Sequence, residues 1–457
     1  AGQKARSFSF HNKKCRLPQP SRPVKWTDEA EQPLCFFVGS PLGRPMVWAQ
    51  SRDNASWQTR STTASWHHPG LDCAASLTWF TWPLILACLA QPIGASSLTG
   101  TEVIPTKMRG AVLPGNSHVD MLDFEVPKPG HGEVLIKTKV STICGSDIRC
   151  IFREHLGKGA EGYQGCIAGH EPCGQIVAEG PGLRRFKKGD RVIVYHISGC
   201  GLCNDCRRGF MISCTSDKFR RAYGWQRHGG MAEYILAEEK DLVLLPDELS
   251  YADGAMVACG FGTVYEALEK IGVSGNDAVL VTGLGPVGLA ACMLSKALGA
   301  SKVIGIDAVD ERLQVARQLG IVDEVLLAGP DNVAQVKALT GGHGVERAVE
   351  CSAAGPARRV AIQATRKWGR VVFIGEGGSV TFEPSEDLLH EQKSVVGSWV
   401  TSIWKMEEVV EKIVRWKIKP AALITHRFSL DKTEDAYKTM AGGKSGKVAV
   451  VFDEELP

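Results

Sequence analysis

The second half of the chain alternates short apolar runs with helical stretches, and this rhythm limits the fold more than any other feature. Six runs have the length and apolar character of buried strands: 278–282, 302–306, 324–327, 347–350, 370–374 and 394–397. Strands that alternate with helices form a parallel sheet covered by helices on both faces. The sequence therefore predicts an α/β fold with a doubly wound parallel sheet over residues 262–398.

The turn after the first of these strands is rich in glycine. Gly283, Gly285 and Gly288 have G-x-G-x-x-G spacing and open a helix. The first permits a tight turn, the second lets a pyrophosphate approach the backbone, and the third lets helix and strand pack closely. The next strand ends in Asp307, where an acidic side chain accepts hydrogen bonds from ribose hydroxyls. The pattern predicts a site for NAD rather than NADP, because Asp307 would repel a 2′-phosphate.

Four cysteines lie close together before this region, in C-x2-C-x2-C-x7-C spacing: Cys200, Cys203, Cys206 and Cys214. Four thiolates complete a tetrahedral zinc shell and leave no open position, so the pattern predicts a structural zinc site. The main alternatives are an iron–sulfur cluster and a zinc ribbon that binds nucleic acid. The first usually has a proline after the last cysteine, which this chain lacks. The second requires a basic, aromatic surface, and the nucleotide-binding context argues against it.

A catalytic zinc needs three protein ligands and one open position. Cys144, His170 with Glu171 beside it, and Cys259 are candidates. Each has an ordinary structural interpretation when taken alone, since a single buried cysteine or histidine is usually a packing residue. As a set they flank the boundary between the β-rich part of the chain and the predicted nucleotide site, which favours a metal centre there.

The change of pattern along the chain divides it into four parts. Residues 1–107 are predicted to be an N-terminal extension that is disordered, serves in targeting or derives from upstream sequence. Residues 108–261 form a β-rich catalytic domain with the zinc sites, and residues 262–398 form the nucleotide-binding domain. Residues 399–457 return to the catalytic domain through a helix and a terminal strand.

The composition restricts the partners. A net charge of +3 gives no reason to expect a nucleic-acid partner. The apolar stretch Leu77–Ala90 is broken by Pro83 and is too short to cross a membrane. We expect a cytoplasmic homo-oligomer, a dimer or tetramer, that acts on a small alcohol or polyol; the basic residues near the N-terminus leave organelle targeting open.

Residues 108–457 resemble the zinc-containing medium-chain alcohol dehydrogenases. The resemblance is carried by "CGSD" at 144–147, "GHE" at 169–171, the four cysteines, "CGFGT" at 259–263 and "TGLGPVGL" at 282–289, in this order. It implies a GroES-like catalytic domain and a Rossmann domain with the active site in the cleft between them. It also implies two zinc ions per chain and NAD as the cofactor.

The resemblance assigns roles to single residues. Cys144, His170 and Cys259 become ligands of the catalytic zinc, with Asp147 orienting His170. Glu171 would lie behind the zinc and ligate it transiently, and Ser146 would pass on the substrate proton. The implied cofactor-binding residues are Gly283, Gly285, Pro286, Val287, Gly288, Asp307, Arg312 near the adenosine ribose, and Lys447 near the pyrophosphate.

Two positions bear on the activity. The sorbitol-type enzymes usually have glutamate as the third ligand, whereas this chain has Cys259, as in the alcohol dehydrogenases. The alcohol dehydrogenases often have histidine where this chain has Arg149. The Arg149 guanidinium cannot exchange protons near neutral pH. The proton relay beyond Ser146 would then end at a cofactor ribose hydroxyl or at water.

The sequence predicts oxidation of a primary or secondary alcohol by hydride transfer to NAD. One alternative is a polyol, sugar or threonine dehydrogenase on the same scaffold. Its polar pocket candidates are His155, Tyr163, His196, Trp225 and Arg227. Another alternative is a zinc protein that binds NAD without catalysis, which the retained ligand set argues against.

Overall fold

The computed structural model describes residues 103–216 and 218–452. The predicted extension therefore lies outside the described residues up to position 102, and so does the apolar stretch Leu77–Ala90.

The first strand, β1, begins at Lys107 and pairs with β2 in an antiparallel hairpin. The strands before the nucleotide-binding region are β1 (Lys107–Gly115), β2 (His118–Glu125), β3 (Glu133–Ile143), β4 (Glu171–Glu179), β5 (Arg191–Val194), β6 (Ile197–Ser198), β7 (Arg221–Ala222), β8 (Tyr234–Glu238) and β9 (Leu242–Leu244).

The nucleotide-binding region contains six parallel strands in the order β12-β11-β10-β13-β14-β15. Val279 and Val281 of β10 belong to one apolar core and Leu280 to another, so the sheet is buried on both faces. The doubly wound sheet that the sequence predicts is confirmed. Its strands are β10 (Ala278–Thr282), β11 (Lys302–Asp307), β12 (Glu324–Leu327), β13 (Val345–Glu350), β14 (Thr365–Phe373) and β15 (Ser394–Gly397).

Ten α-helical segments accompany these strands in the described part of the chain. The longest, α9, follows β15 and leads the chain back toward the first domain. The segments are α1 (Gly145–Asp147), α2 (Asn204–Arg207), α3 (Tyr251–Met256), α4 (Gly262–Ile271), α5 (Pro286–Ala297), α6 (Asp310–Gln318), α7 (Asn332–Leu339), α8 (Gly355–Gln363), α9 (Ile403–Trp416) and α10 (Thr433–Ala441).

A second, seven-stranded sheet combines strands of the first domain with the last two strands of the described chain. The last strands, β16 (Ile424–Ser429) and β17 (Lys447–Val451), extend it in the order β16-β17-β3-β4-β5-β9, and β8 also pairs with β3. β17 runs antiparallel to β3 with Val448 opposite Ile143, and β3 runs antiparallel to β4 with Thr142 opposite Glu171. The end of β3 and the starts of β4 and β17 therefore lie side by side.

The turn between β10 and α5 depends on its glycines. Gly283 has a φ of 88°, in the left-handed region that glycine adopts readily. A Cβ on Gly288 would lie 1.8 Å from the carbonyl oxygen of Gly283, so no other residue allows this approach of helix to strand. Pro286 occupies the first turn of α5, where its missing N–H costs nothing.

None of the helices within the described residues is long and apolar enough to span a bilayer.

Candidate active site and metal centres

Four potential metal ligands converge where β3 ends and β4 begins. Cys144 follows β3, His170 and Glu171 stand at the start of β4, and Cys259 lies in a π-helical turn, Val257–Phe261, between α3 and α4. One ligand atom from each lies within 4.8 Å of those of the others. We call these four residues the Cys–His cluster. The π-helical turn packs against both β4 and α5, so Cys259 lies where the two domains meet.

Asp147 fixes the geometry of two cluster members. Its Oδ1 accepts a hydrogen bond of 2.8 Å from Nδ1 of His170, and its Oδ2 accepts one of 3.0 Å from the backbone N–H of Cys144. With Nδ1 protonated and bonded, the Nε2 lone pair of His170 is free to bind a metal. The predicted orienting role of Asp147 agrees with these contacts.

The two oxygens of Glu171 have different surroundings. Oε2 accepts hydrogen bonds from the Thr142 hydroxyl, at 2.5 Å, and from the ammonium of Lys447. Oε1 is buried and has no hydrogen-bond partner in the described part of the chain. Burial raises the pKa of Glu171, and the charge of Lys447 opposes that shift.

These residues fit a bound metal ion. Hydrogen bonding from Cys259 lowers the pKa of Cys144 well below its usual range against the effect of burial, so this pair readily supplies a thiolate. Two sulfurs and an imidazole are the donor types that zinc prefers, and the unpaired Oε1 of Glu171 is a buried anionic atom that a cation would satisfy.

The four predicted structural ligands also come together, in a lobe between β6 and β7 that we call the four-cysteine lobe. The Sγ atoms of Cys200, Cys203, Cys206 and Cys214 lie within 4.8 Å of one another. Backbone N–H groups point at the sulfurs: Cys203 N lies 3.3 Å from Cys200 Sγ, and Cys206 N lies 3.5 Å from Cys203 Sγ. Such N–H···S bonds stabilise thiolates, as a closed metal shell requires.

The backbone near the glycine-rich turn between β10 and α5 holds the predicted acidic residue, Asp307, in place. Asp307 is buried, and its carboxylate accepts hydrogen bonds from Leu284 N, at 2.5 Å, and Val309 N, at 2.8 Å. The Arg312 guanidinium lies 3.6 Å from Asp307 and 3.8 Å from where a Cβ on Gly285 would be. Arg312 thus borders both the carboxylate that is predicted to bind the ribose and the second glycine. Pro286 and Val287 follow this turn at the start of α5.

Ser146 and Arg149 lie on the short helical stretch after Cys144. Ser146 is partly exposed and lies two residues after Cys144. Arg149 donates hydrogen bonds to the carboxylate of Glu376, at 2.6 Å, and to its backbone carbonyl. Glu376 follows β14 at the carboxyl end of the parallel sheet, so this contact joins the two domains beside the nucleotide turn.

Lys447 lies against Glu171 and is almost completely buried. The family resemblance implies that this residue lies near the cofactor pyrophosphate, and that role stays a prediction. The ion pair with Glu171, and the Thr142 hydroxyl beside it, were missed by sequence reasoning. A lysine at the start of the apolar strand β17, "KVAVV", is the signal that indicates a buried, paired ammonium.

Among the polar pocket candidates, only His196 lies beside the Cys–His cluster. Its ring centroid is 5.1 Å from that of His170, and its Nδ1 donates to the carbonyl of Ala258 at 3.0 Å. Burial, together with the charge of the neighbouring His170, lowers the pKa of His196 to about 3, so the ring is neutral.

The other four candidates have structural partners. His155 Nε2 donates to the carbonyl of Leu113 at 2.8 Å, and the Tyr163 hydroxyl accepts from the N–H of the same residue. Arg227 pairs with Glu238 at 2.8 Å. Trp225 packs partly buried against the core around β1.

Comparisons with known proteins agree with this architecture. The family model for the alcohol dehydrogenase GroES-like domain matches residues 130–247, and that for zinc-binding dehydrogenases matches residues 286–415. The chain is 54% identical to the uncharacterized zinc-type alcohol dehydrogenase-like protein YphC of Escherichia coli K12, over 76% of this chain and 99% of that protein. It is 31% identical to L-threonine 3-dehydrogenase of Pyrococcus horikoshii, over 73% of this chain and 95% of that enzyme.

Solved structures give the same result. The alcohol dehydrogenase rspB of E. coli CFT073, complexed with NADH, has a TM-score of 0.67 at 25% identity and covers 76% of this chain and 100% of its own. A putative zinc-binding dehydrogenase of Sinorhizobium meliloti 1021, bound to NADP, has a TM-score of 0.68 at 25% identity with the same coverage. The chain belongs to the zinc-containing medium-chain dehydrogenase/reductase family, that of the zinc-type alcohol dehydrogenases.

Proposed function

We propose that the protein is an NAD-dependent zinc alcohol dehydrogenase that oxidises a primary or secondary alcohol to an aldehyde or ketone. The observation that carries this proposal is the Cys–His cluster, set where the two domains meet and the π-helical turn of Cys259 packs on the first helix of the nucleotide fold. Cys144, His170 and Cys259 would hold the catalytic zinc, and the four-cysteine lobe would hold the second ion.

The bound groups supply the chemistry of the hydride step: zinc is a Lewis acid for the substrate hydroxyl, and NAD accepts the hydride. The protein's residues orient the reactants and move the proton. Ser146, partly exposed next to the cluster, would accept the hydroxyl proton. Arg149 is bonded to Glu376 and remains protonated, so the proton must leave by a cofactor ribose hydroxyl or by water.

A polyol or threonine dehydrogenase is the second candidate. It is favoured by His196, whose neutral ring lies beside His170, and by the 31% identity to L-threonine 3-dehydrogenase. A second hydroxyl or an amino group on the substrate would find a hydrogen-bond partner there. Cys259 in the third ligand position favours the alcohol dehydrogenases over the sorbitol type.

Turnover with a substrate panel tests the proposed function. We expect NADH to form with at least one member of a set containing primary alcohols, secondary alcohols, sorbitol and L-threonine. A preference for the monohydric alcohols supports the first candidate, and a preference for sorbitol or threonine supports the second. NADH that binds without any turnover across the panel would contradict both and favour a non-catalytic protein.

The two metal sites predict two zinc ions per chain with different roles. Cys144→Ser should retain the fold and the second ion but lose turnover, because it removes a ligand of the catalytic zinc. Cys203→Ser should lower the thermal midpoint, since a structural zinc contributes folding free energy directly. Metal analysis and thermal unfolding of the two variants check this. A Cys203→Ser protein with unchanged stability would refute the structural role of the four-cysteine lobe.

Replacing Ser146 tests the proton path. Ser146→Ala should lower kcat by about 10²-fold or more, the usual contribution of a positioned proton-transfer group. Ser146→Thr keeps a hydroxyl and serves as the matched control. The measurement is kcat under conditions where a deuterated alcohol shows that hydride transfer limits the rate. An unchanged kcat under these conditions would remove Ser146 from the path.

Asp307 should set the cofactor preference. Its carboxylate accepts from the ribose hydroxyls of NAD but repels the ~2 negative charges of a 2′-phosphate. Asp307→Ser should therefore reduce the ratio of kcat/KM for NAD to that for NADP by about tenfold or more. A tenfold change corresponds to a loss of ~1.4 kcal/mol in the discrimination between the two cofactors. Asp310→Ser, on the exposed start of α6, is the control. A wild-type preference for NADP would contradict the assignment.

A further inference from the structure

The loop that follows β14, residues 374–378, is bound firmly to its own domain, and we call it the β14 loop. The backbone N–H groups of Ile374 and Gly375 donate to the carbonyl of Glu350, at 2.9 and 3.0 Å. The Arg358 guanidinium donates to the carbonyl of Gly375 at 2.6 Å and pairs with the buried carboxylate of Glu350 at 3.3 Å. The β14 loop is therefore fastened to the end of β13 within the nucleotide-binding domain.

Arg149 reaches this loop from the first domain. Its Nη2 donates to Oε2 of Glu376 at 2.6 Å, and its Nη1 donates to the backbone carbonyl of the same residue. A Cβ on Gly377 would lie 2.6 Å from that Nη1, so the glycine leaves the space that the guanidinium occupies. The planar guanidinium thus binds one residue through both its side chain and its backbone, a geometry that the single ammonium of a lysine does not reproduce.

The contact between Arg149 and Glu376 is polar and partly open to solvent. The two side chains are 35% and 51% exposed, so both charges become hydrated when the contact breaks. Exposed ion pairs have small net free energies, because solvent competes for each partner. A contact of this kind can open and close at little cost, whereas an apolar contact would expose its surface to water each time.

The β14 loop borders the crevice in which a dinucleotide would lie. In the parallel sheet β13 lies between β10 and β14, and a Cβ on Gly283 would lie 2.6 Å from the Cβ of Ser352, just after β13. Ligands of such sheets bind outside the carboxyl ends of the strands. On the other side of the contact, Arg149 lies five residues after Cys144 of the Cys–His cluster. The contact thus joins the parts of the two domains that would hold the cofactor and the metal.

We infer that Arg149 and Glu376 are positioning residues for the cofactor: their contact holds the β14 loop against the first domain and slows release of the bound dinucleotide. The inference rests on the proposed use of NAD. It gives Arg149 a role other than proton transfer, which its guanidinium cannot perform near neutral pH.

The release of NADH from the full-length protein, followed by stopped-flow fluorescence, measures this role. Arg149→Met and Glu376→Gln should each raise the dissociation rate constant of NADH by about threefold to tenfold, because each removes the charge-assisted contact. The variant with both substitutions should release NADH no faster than Arg149→Met, since the two residues act through one contact. Arg149→Lys keeps the charge without the planar fork, and its rate constant should lie between those of Arg149→Met and the wild type.

A matched arginine and the ionic strength separate this role from a general effect on the fold. Arg153 is an exposed arginine at the end of the same π-helical segment, where its guanidinium donates to the carbonyl of Ala441. Arg153→Met should leave the rate constant unchanged. Added salt should bring the wild-type rate constant closer to that of Arg149→Met, because salt screens a partly exposed ion pair. In cofactor-free protein, hydrogen–deuterium exchange over residues 374–378 should be faster in Arg149→Met than in the wild type.

The outcomes distinguish the inference from the proposed function. A wild-type protein that does not bind NADH would overturn the proposed cofactor, and the inference with it. Wild-type dissociation rates of NADH in both Arg149→Met and Glu376→Gln would overturn the inference and leave the proposed function in place. Faster release from Arg149→Met alone would mean that Arg149 contacts the cofactor itself, and this result would overturn the shared role of the pair.

Discussion

The antiparallel pairing of β17 and β4 with β3 determines where the chemistry of this protein can take place. Cys144 follows β3, Glu171 begins β4 and Lys447 begins β17, and the register of the backbone hydrogen bonds places these three positions at one end of the sheet. Because side chains alternate between the two faces of a sheet, a shift of one residue in either pairing would turn Glu171 or Lys447 to the opposite face. The candidate metal site therefore depends on the register of strand pairing as well as on the side chains of the cluster.

Burial of charge at this sheet end is tolerated because each charged group has a partner. Asp147 accepts from His170 and from the backbone of Cys144, and Glu171 accepts from Lys447 and Thr142. Taking one partner from such a pair leaves an uncompensated buried charge, which is usually costly. The unpaired Oε1 of Glu171 is the point where this network is open, and a cation is the species that would complete it.

Two structural links connect the region of the Cys–His cluster to the nucleotide-binding domain. The π-helical turn that contains Cys259 packs on α5, the helix that follows the glycine-rich turn. Arg149, on the stretch after Cys144, bonds to Glu376 at the carboxyl end of the parallel sheet. Ligands bind outside the carboxyl ends of parallel strands, so the proposed metal and cofactor would lie on the same side of the sheet.

The sequence by itself determined the features that depend on local spacing. The glycine turn and the four-cysteine lobe each lie within a few residues, and their conformation follows from backbone sterics and from the reach of neighbouring sulfurs. The six parallel strands were predictable for a related reason, since buried strands are continuous apolar runs. Residue type and position made Cys144, His170 and Cys259 candidates for a metal centre, but their roles as ligands of one zinc were implied by a family resemblance, because nothing local joins residues so far apart in the chain.

Only the tertiary structure decided the partners of the charged side chains. Lys447 pairs with Glu171, and Arg149 pairs with Glu376, although each partner lies more than two hundred residues away. These contacts arise from strand register and domain packing, which are non-local, whereas spacing rules describe only what one segment can do alone. The same reason explains why His155 and Tyr163 were expected in a pocket but bond to the backbone of β1, and why His196, among the five candidates, lies beside the Cys–His cluster.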